Sequence, residues 1–145
     1  MVVNGDDRMS GRLWHWGDVA FYLALLVFAV WKRPHTLTLF VALMIAAASF
    51  PLWILARLQL GSAFSFRASA RRLVTTGLYS RIRHPVYLFG SIAGLASVLA
   101  LQVWWLLALA LLLEPITIVR AVREERVLKA AFGEEYERYR QRTWW

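Results

Sequence analysis

The sequence predicts an all-α membrane protein, a polytopic bundle of about four transmembrane helices that includes a C-terminal helical hairpin and is followed by a cytoplasmic amphipathic helix. Three observations carry this expectation. Hydrophobic residues make up 59 % of the 145-residue chain and mean hydropathy is +0.49, whereas an ordinary soluble domain is roughly 45–50 % apolar. The apolar excess sits in long runs. The basic residues bracket those runs, as side chains facing anionic lipid headgroups do.

Taken in order, residues 1–12 contain Asp6 and Asp7 and no early apolar run. They read as a short disordered lead and not as a signal peptide. The first apolar run, 19–31, lies between Asp18 and Lys32. It is shorter than the roughly 20 residues a crossing helix needs, and Trp14, Trp16 and Trp31 extend it into the two interfacial belts. The second run, 36–56, is uncharged and long enough to span, with Pro51 inside it. A proline there removes one backbone hydrogen bond and favours a kink; a tolerated membrane proline is the plainer reading.

Residues 58–83 read as a loop. They hold Arg67, Arg71, Arg72, Arg81 and Arg83 and no acid, which places the loop on the cytoplasmic side. The third block, 86–119, carries one charged residue, Glu114. As a single straight helix it would be about 50 Å long at 1.5 Å per residue, against a hydrocarbon core about 30 Å thick. The block therefore predicts two helices in a hairpin, turning near 98–103, where Gln102 is the polar residue. Four spans leave both termini cytoplasmic and residues 32–35 outside. Beyond the last span, Glu125 and Lys129 are spaced to pair on the helix surface. Gly133 is expected to break the helix, and 134–142 to form a short charged one.

One domain is expected at this length. The chain has no cysteine, which excludes disulfides, thiol catalysis and thiolate metal sites. His15, His35 and His84 are scattered, and none has a second ligand at metal spacing, so no metal is expected. The net charge of +8 raises nucleic acid as a partner, but charges placed around apolar spans point to membrane lipids instead.

Two polar clusters flank the third block. His84 precedes Pro85, which restricts His84 to extended backbone and suits the first turn of a helix. Tyr87 falls in that turn, beside free amide N–H groups that attract anions. Arg120 and Glu124, four residues apart, share a helix face. Each cluster alone reads as a basic stop signal or an exposed ion pair. The hairpin brings both to the same side of the membrane, at one depth. Glu114 lies deeper, and an ionisable residue within a span is a functional candidate or the partner of a loop arginine.

The segments Leu73-Val74-Thr75-Thr76-Gly77-Leu78-Tyr79 and Arg83-His84-Pro85-Val86-Tyr87, then Arg120 with Glu124-Glu125, then Phe132-Gly133-Glu134-Glu135-Tyr136 and Tyr139 resemble the C-terminal signature of isoprenylcysteine carboxyl methyltransferases. Phospholipid N-methyltransferases share much of it. The resemblance spans about residues 61–142 and implies a cofactor-binding core there that uses S-adenosylmethionine. Carried over, Leu73, Val74, Tyr79, His84, Pro85, Val86 and Tyr87 would line the cofactor pocket together with Arg71 and Arg72. Arg71 stands where enzymes of the family often have a histidine. Glu124 would contact the cofactor and Arg120 would face the methyl acceptor, expected to be lipid-like or amphiphilic. The chain has fewer N-terminal spans than eukaryotic members, so walls around the acceptor are expected to be absent or to come from a second copy in a homo-oligomer.

The chemistry is consistent with such a site. Methyl transfer from a sulfonium requires alignment and exclusion of water more than a general acid. A carboxylate such as Glu124 attracts a cation, and the ring of Tyr79 or Tyr87 offers a cation–π contact of roughly 0.5–2 kcal/mol. Arg120 suits a carboxylate acceptor in bidentate geometry, which favours carboxyl O-methylation and leaves N- and S-methylation open. Two rivals stand beside this: an NADPH-dependent sterol-type reductase, against which Val86 counts because those enzymes carry an Asn there, and a non-enzymatic membrane subunit.

Overall fold

A computed structural model of the chain describes residues 16–61 and 73–144. The expected lead at 1–12, Trp14, Arg67, Arg71 and Arg72 lie outside the described residues. Those described are helical, apart from connections and one isolated bridge between Ile82 and Trp144. The helices are α1 (Gly17–Lys32), α2 (Leu37–Leu60), α3 (Pro85–Ala100) and α4 (Trp104–Arg142), with a short 3-10 turn at Gly77–Ser80 before α3.

Each boundary has a local cause. The Thr36 hydroxyl caps α2 by accepting the Leu39 amide at 3.3 Å, which satisfies one free N–H of the first turn. Pro85 occupies the first position of α3, where no amide hydrogen is needed. The hairpin turn falls at residues 101–103, with Gln102 at φ +55°. Its side-chain amide donates to the Pro34 carbonyl at 3.0 Å, tying the α1–α2 connection to the α3–α4 turn at one end of the bundle. Within α4 the helical path breaks at Gly133, φ +49°, a conformation open to glycine and costly for other residues.

One expectation is corrected at the end of α2. Residues 58–60 belong to the helix and not to the loop. The helix continues past Arg57 because that guanidinium meets Asp18 of α1 instead of requiring solvent.

α3 is the hub of the packing and touches each of the other helices, α2 most extensively. Small residues make this possible. A Cβ on Gly90 would lie 2.8 Å from Trp53 Nε1, and one on Gly94 would lie 3.1 Å from the Tyr22 ring. Small-residue faces of this kind let helices approach where lipid removes the usual hydrophobic drive. Ala93, Ala96, Ser97 and Ala100 are buried on the same helix.

Two helices, α2 and α4, are long and apolar enough to cross a membrane. α1 and α3 have 16 residues each, about 24 Å at 1.5 Å per residue. The apolar window of α4 is only 6 % buried, and Trp104, Trp105, Leu111, Leu112 and Ile116 are exposed on it. The core helix of a soluble protein would be covered; an apolar surface this extended calls for lipid or a partner.

Candidate functional site

The polar groups gather at the end of the bundle opposite Gln102. His84 ends the connection into α3 and is 7 % exposed. Its Nε2 lies 3.3 Å from Glu125 Oε1, and Arg83 Nη1 donates to the same oxygen at 2.7 Å. A carboxylate oxygen accepts only, so the His84 Nε2 carries the hydrogen. Burial lowers the His84 pKa below the ordinary histidine value, and the nearby Glu124 and Glu125 only partly oppose it. Glu125 thus turns inward to two partners in the connection before α3. The expected surface pair with Lys129 does not form: Lys129 reaches Glu137 at 2.6 Å across the Gly133 break. A buried partner outweighs an exposed pair worth a few tenths of a kcal/mol.

The segment carrying Tyr79 is held from beyond the break. The Tyr139 hydroxyl donates to the Tyr79 carbonyl at 2.8 Å. The Trp144 amide donates to the Arg81 carbonyl at 2.9 Å, and the Arg83 amide to the Trp144 carbonyl at 3.4 Å. Tyr79, Tyr136 and Tyr139 are all buried. Burial raises the pKa of each, that of Tyr136 to about 12, so all three are neutral hydroxyls at physiological pH.

Two adjoining cavities result. The smaller, about 30 Å³, is lined by Leu60, Tyr79, Arg83, His84, Val86, Tyr87 and Glu124. The larger, about 370 Å³, lies among all four helices and shares the Val86–Tyr87 wall. Arg120, Glu114, Asp18 and Arg57 line its polar side, and Leu95, Val98 and Leu113 its apolar side. Glu124 and Arg120 both lie beside Tyr87.

Of the residues expected at the site, the structure brings together Tyr79, His84, Val86, Tyr87 and Glu124, with Arg120 on the other side of Tyr87. Val74 and Pro85 are buried in the packing. Leu73 instead lines a separate groove with Thr75, Ser80, Glu135, Arg138, Tyr139 and Arg142. Sequence reasoning missed Asp18, Tyr22 and Arg57 as cavity residues. Arg57 forks onto Asp18, Nη1 meeting Oδ1 at 2.9 Å and Nη2 meeting Oδ2, and its guanidinium lies 4.5 Å from the Trp53 ring centroid. The only sequence signal was a charge beside each of two apolar runs, Asp18 before 19–31 and Arg57 after 36–56.

These helices and this carboxylate, guanidinium and tyrosine cluster define a helical protein with apolar surfaces for a membrane and a polar site at one end. A family model of phospholipid methyltransferases matches residues 35–135, and the chain belongs to that family, a membrane methyltransferase family. The match covers α2, α3, both cavities' principal walls and α4 past Gly133. It agrees with the signature in the sequence at the level of the superfamily that isoprenylcysteine carboxyl methyltransferase-like members share. No curated protein and no solved structure matches the chain.

Proposed function

We propose that the protein is an S-adenosylmethionine-dependent methyltransferase acting on a lipid-like or amphiphilic acceptor at the cytoplasmic face of a membrane. The observation that carries this reading is the pair of cavities meeting at Val86–Tyr87, one beside Glu124 and Tyr79, the other beside Arg120. A two-substrate transfer needs groups for both reactants to converge on one place, and the Glu124 and Arg120 sides converge at Tyr87.

The donor set fits the cofactor. Glu124 offers a carboxylate to a cationic group, and Tyr79 and Tyr87 offer rings to a sulfonium. When bound, S-adenosylmethionine supplies an electrophilic methyl group. The smaller cavity has room for about one water, so the cofactor's seat extends into the larger one, whose volume lies within the range of small-molecule sites. Residues 61–142 form the cofactor-binding core in this reading. His84 is neutral and directed at Glu125, so its part is to fix the start of α3 rather than to exchange protons. Arg120 holds the acceptor's anionic group. The apolar walls of the larger cavity exclude water, and its lining by α4 suits entry of the acceptor from lipid.

Carboxyl O-methylation is the favoured reaction, because a guanidinium facing the acceptor binds a carboxylate in a fixed geometry. N-methylation of a phospholipid headgroup is the second reading, favoured by the family to which the chain belongs. The same reading includes four membrane passes, both termini cytoplasmic, with α1 and α3 crossing as short spans. It also allows a second copy of the chain to cover the exposed face of α4.

The deciding experiment is calorimetric titration of the purified protein with S-adenosylhomocysteine, with Glu124→Ala alongside. Binding by the wild type and its loss in the variant support the proposal. Absence of binding to folded wild-type protein refutes it and turns attention to the reductase, tested with NADPH, or to a non-enzymatic subunit.

A further inference from the structure

Glu114 is the one acid in the apolar stretch 86–119, and the structure gives it no arginine. Among the described residues it makes no hydrogen bond or ion pair. It lines the 370 Å³ cavity with Tyr22, Ser91, Thr117 and Arg120. The other carboxylate there, Asp18, is already held by Arg57. Arg120 stands six residues further along α4, about 9 Å at 1.5 Å per residue. The cavity therefore presents a guanidinium at its polar end and a carboxylate about 9 Å deeper, with Thr117 between them in the chain and Leu95, Val98 and Leu113 among the other lining residues.

A carboxylate among apolar walls is costly unless a donor meets it. A plain hydrocarbon tail drawn into this cavity would strip water from Glu114 and give nothing back. A tail with a hydroxyl or amine at that depth would replace the lost water. Sites built around a polar partner reject the analogue that lacks it far more strongly than apolar walls reject a change of size.

We infer that Glu114 is a specificity residue that selects acceptors carrying a hydrogen-bond donor, a hydroxyl or an amine, in the body of the lipid about 9 Å below the reacting end. This rests on the methyl-transfer reading for the identity of the reacting end. The selection itself is a binding property and is read separately.

The test uses the full chain in detergent and three single-chain probes: octadecanoic acid, the same acid with one hydroxyl about 9 Å from the carboxyl group, and its counterpart with an amine at that carbon. Wild-type protein is expected to bind the hydroxyl or amine probe about tenfold or more tightly than the plain acid, as for a hydrogen bond to a charged group. Glu114→Leu should erase both preferences. Glu114→Gln, which still accepts a hydrogen bond, should keep part of the hydroxyl preference and lose the amine one. Equal binding of the three probes by wild type, binding of none, or a preference that survives in Glu114→Leu overturns the inference. S-adenosylhomocysteine affinity is measured on each protein as an independent readout. Its retention shows that a variant is folded, and its absence in wild type counts against the methyl-transfer reading while leaving the probe preference interpretable. Should Glu114→Leu misfold, Glu114→Gln decides the matter.

Discussion

Two ionic clusters lie near the same end of the bundle, and they are built differently. In the first, Asp18 and Arg57 meet two atoms to two, and the guanidinium also faces Trp53. The Arg57 side chain is 6 % exposed and the Asp18 side chain 36 %. In the second, a single oxygen of Glu125 receives both Arg83 and His84, while Glu124 and Arg120 remain turned to the cavities on either side of Tyr87. The first cluster uses its charges on each other and joins α1 to α2. The second joins Glu125 to two partners in the connection before α3, while Glu124, met by the Tyr87 hydroxyl, and Arg120 line the cavities. Residue type alone does not separate the two clusters; the way their charges are paired does.

That contrast predicts which substitutions remove function and which remove stability. The largest effect should come from Arg120→Ala, expected to lower methyl transfer by at least about a hundredfold with the thermal midpoint unchanged. Full turnover would remove Arg120 from the acceptor side. Next, Asp18→Ala leaves Arg57 buried without its carboxylate. Breaking a buried pair typically costs about 3–5 kcal/mol, and the partial exposure of Asp18 reduces this to about 2–3 kcal/mol. Chemical unfolding should show that loss while S-adenosylhomocysteine still binds; a loss of binding with stability intact would make Asp18 part of the site.

A third test probes the frame that both clusters share. Gly90→Ala would place a methyl group 2.8 Å from Trp53 Nε1, and the indole has little freedom to yield. Overpacking of this kind costs about 1–3 kcal/mol, readable by the same unfolding assay. Unchanged stability would mean that α2 and α3 can slide apart.

The smallest effect concerns pH. The folded His84 pKa lies below its ordinary value of 6.5, so the unfolded chain takes up a proton first as pH falls. The contribution of neutral His84 is complete above about pH 6.5 and is lost as pH drops through the lower folded value. Thermal midpoints recorded from neutral pH downward should show this slope, and His84→Asn should flatten it. An unaltered slope in the variant would assign the acid sensitivity elsewhere.

Much of the frame was legible because lipid imposes lengths. An apolar block too long for one crossing had to turn, and it turns at Gln102; a glycine after a long helix marked a break, and Gly133 has a positive φ. The proximity of His84 and Tyr87 to Arg120 and Glu124 followed from that hairpin. The Asp18–Arg57 pair was not legible, because the two residues are 39 apart and nothing in their local spacing links them. Spacing misled for Glu125 and Lys129: the helix permits their pairing, but the tertiary structure supplies Glu125 with buried partners and Lys129 with Glu137. Local geometry names the pairs a helix can make, and burial chooses among them.

The bridge between Trp144 and the Arg81–Arg83 segment has a consequence for the order of assembly. Chains emerge from the ribosome N-terminus first, and helices can pack as they are made. The segment bearing Tyr79 and His84, however, receives its last backbone partners from residues translated some sixty positions later. The helical frame can therefore stand in the membrane before this segment gains those partners, which come only once residues 139–144 have been made.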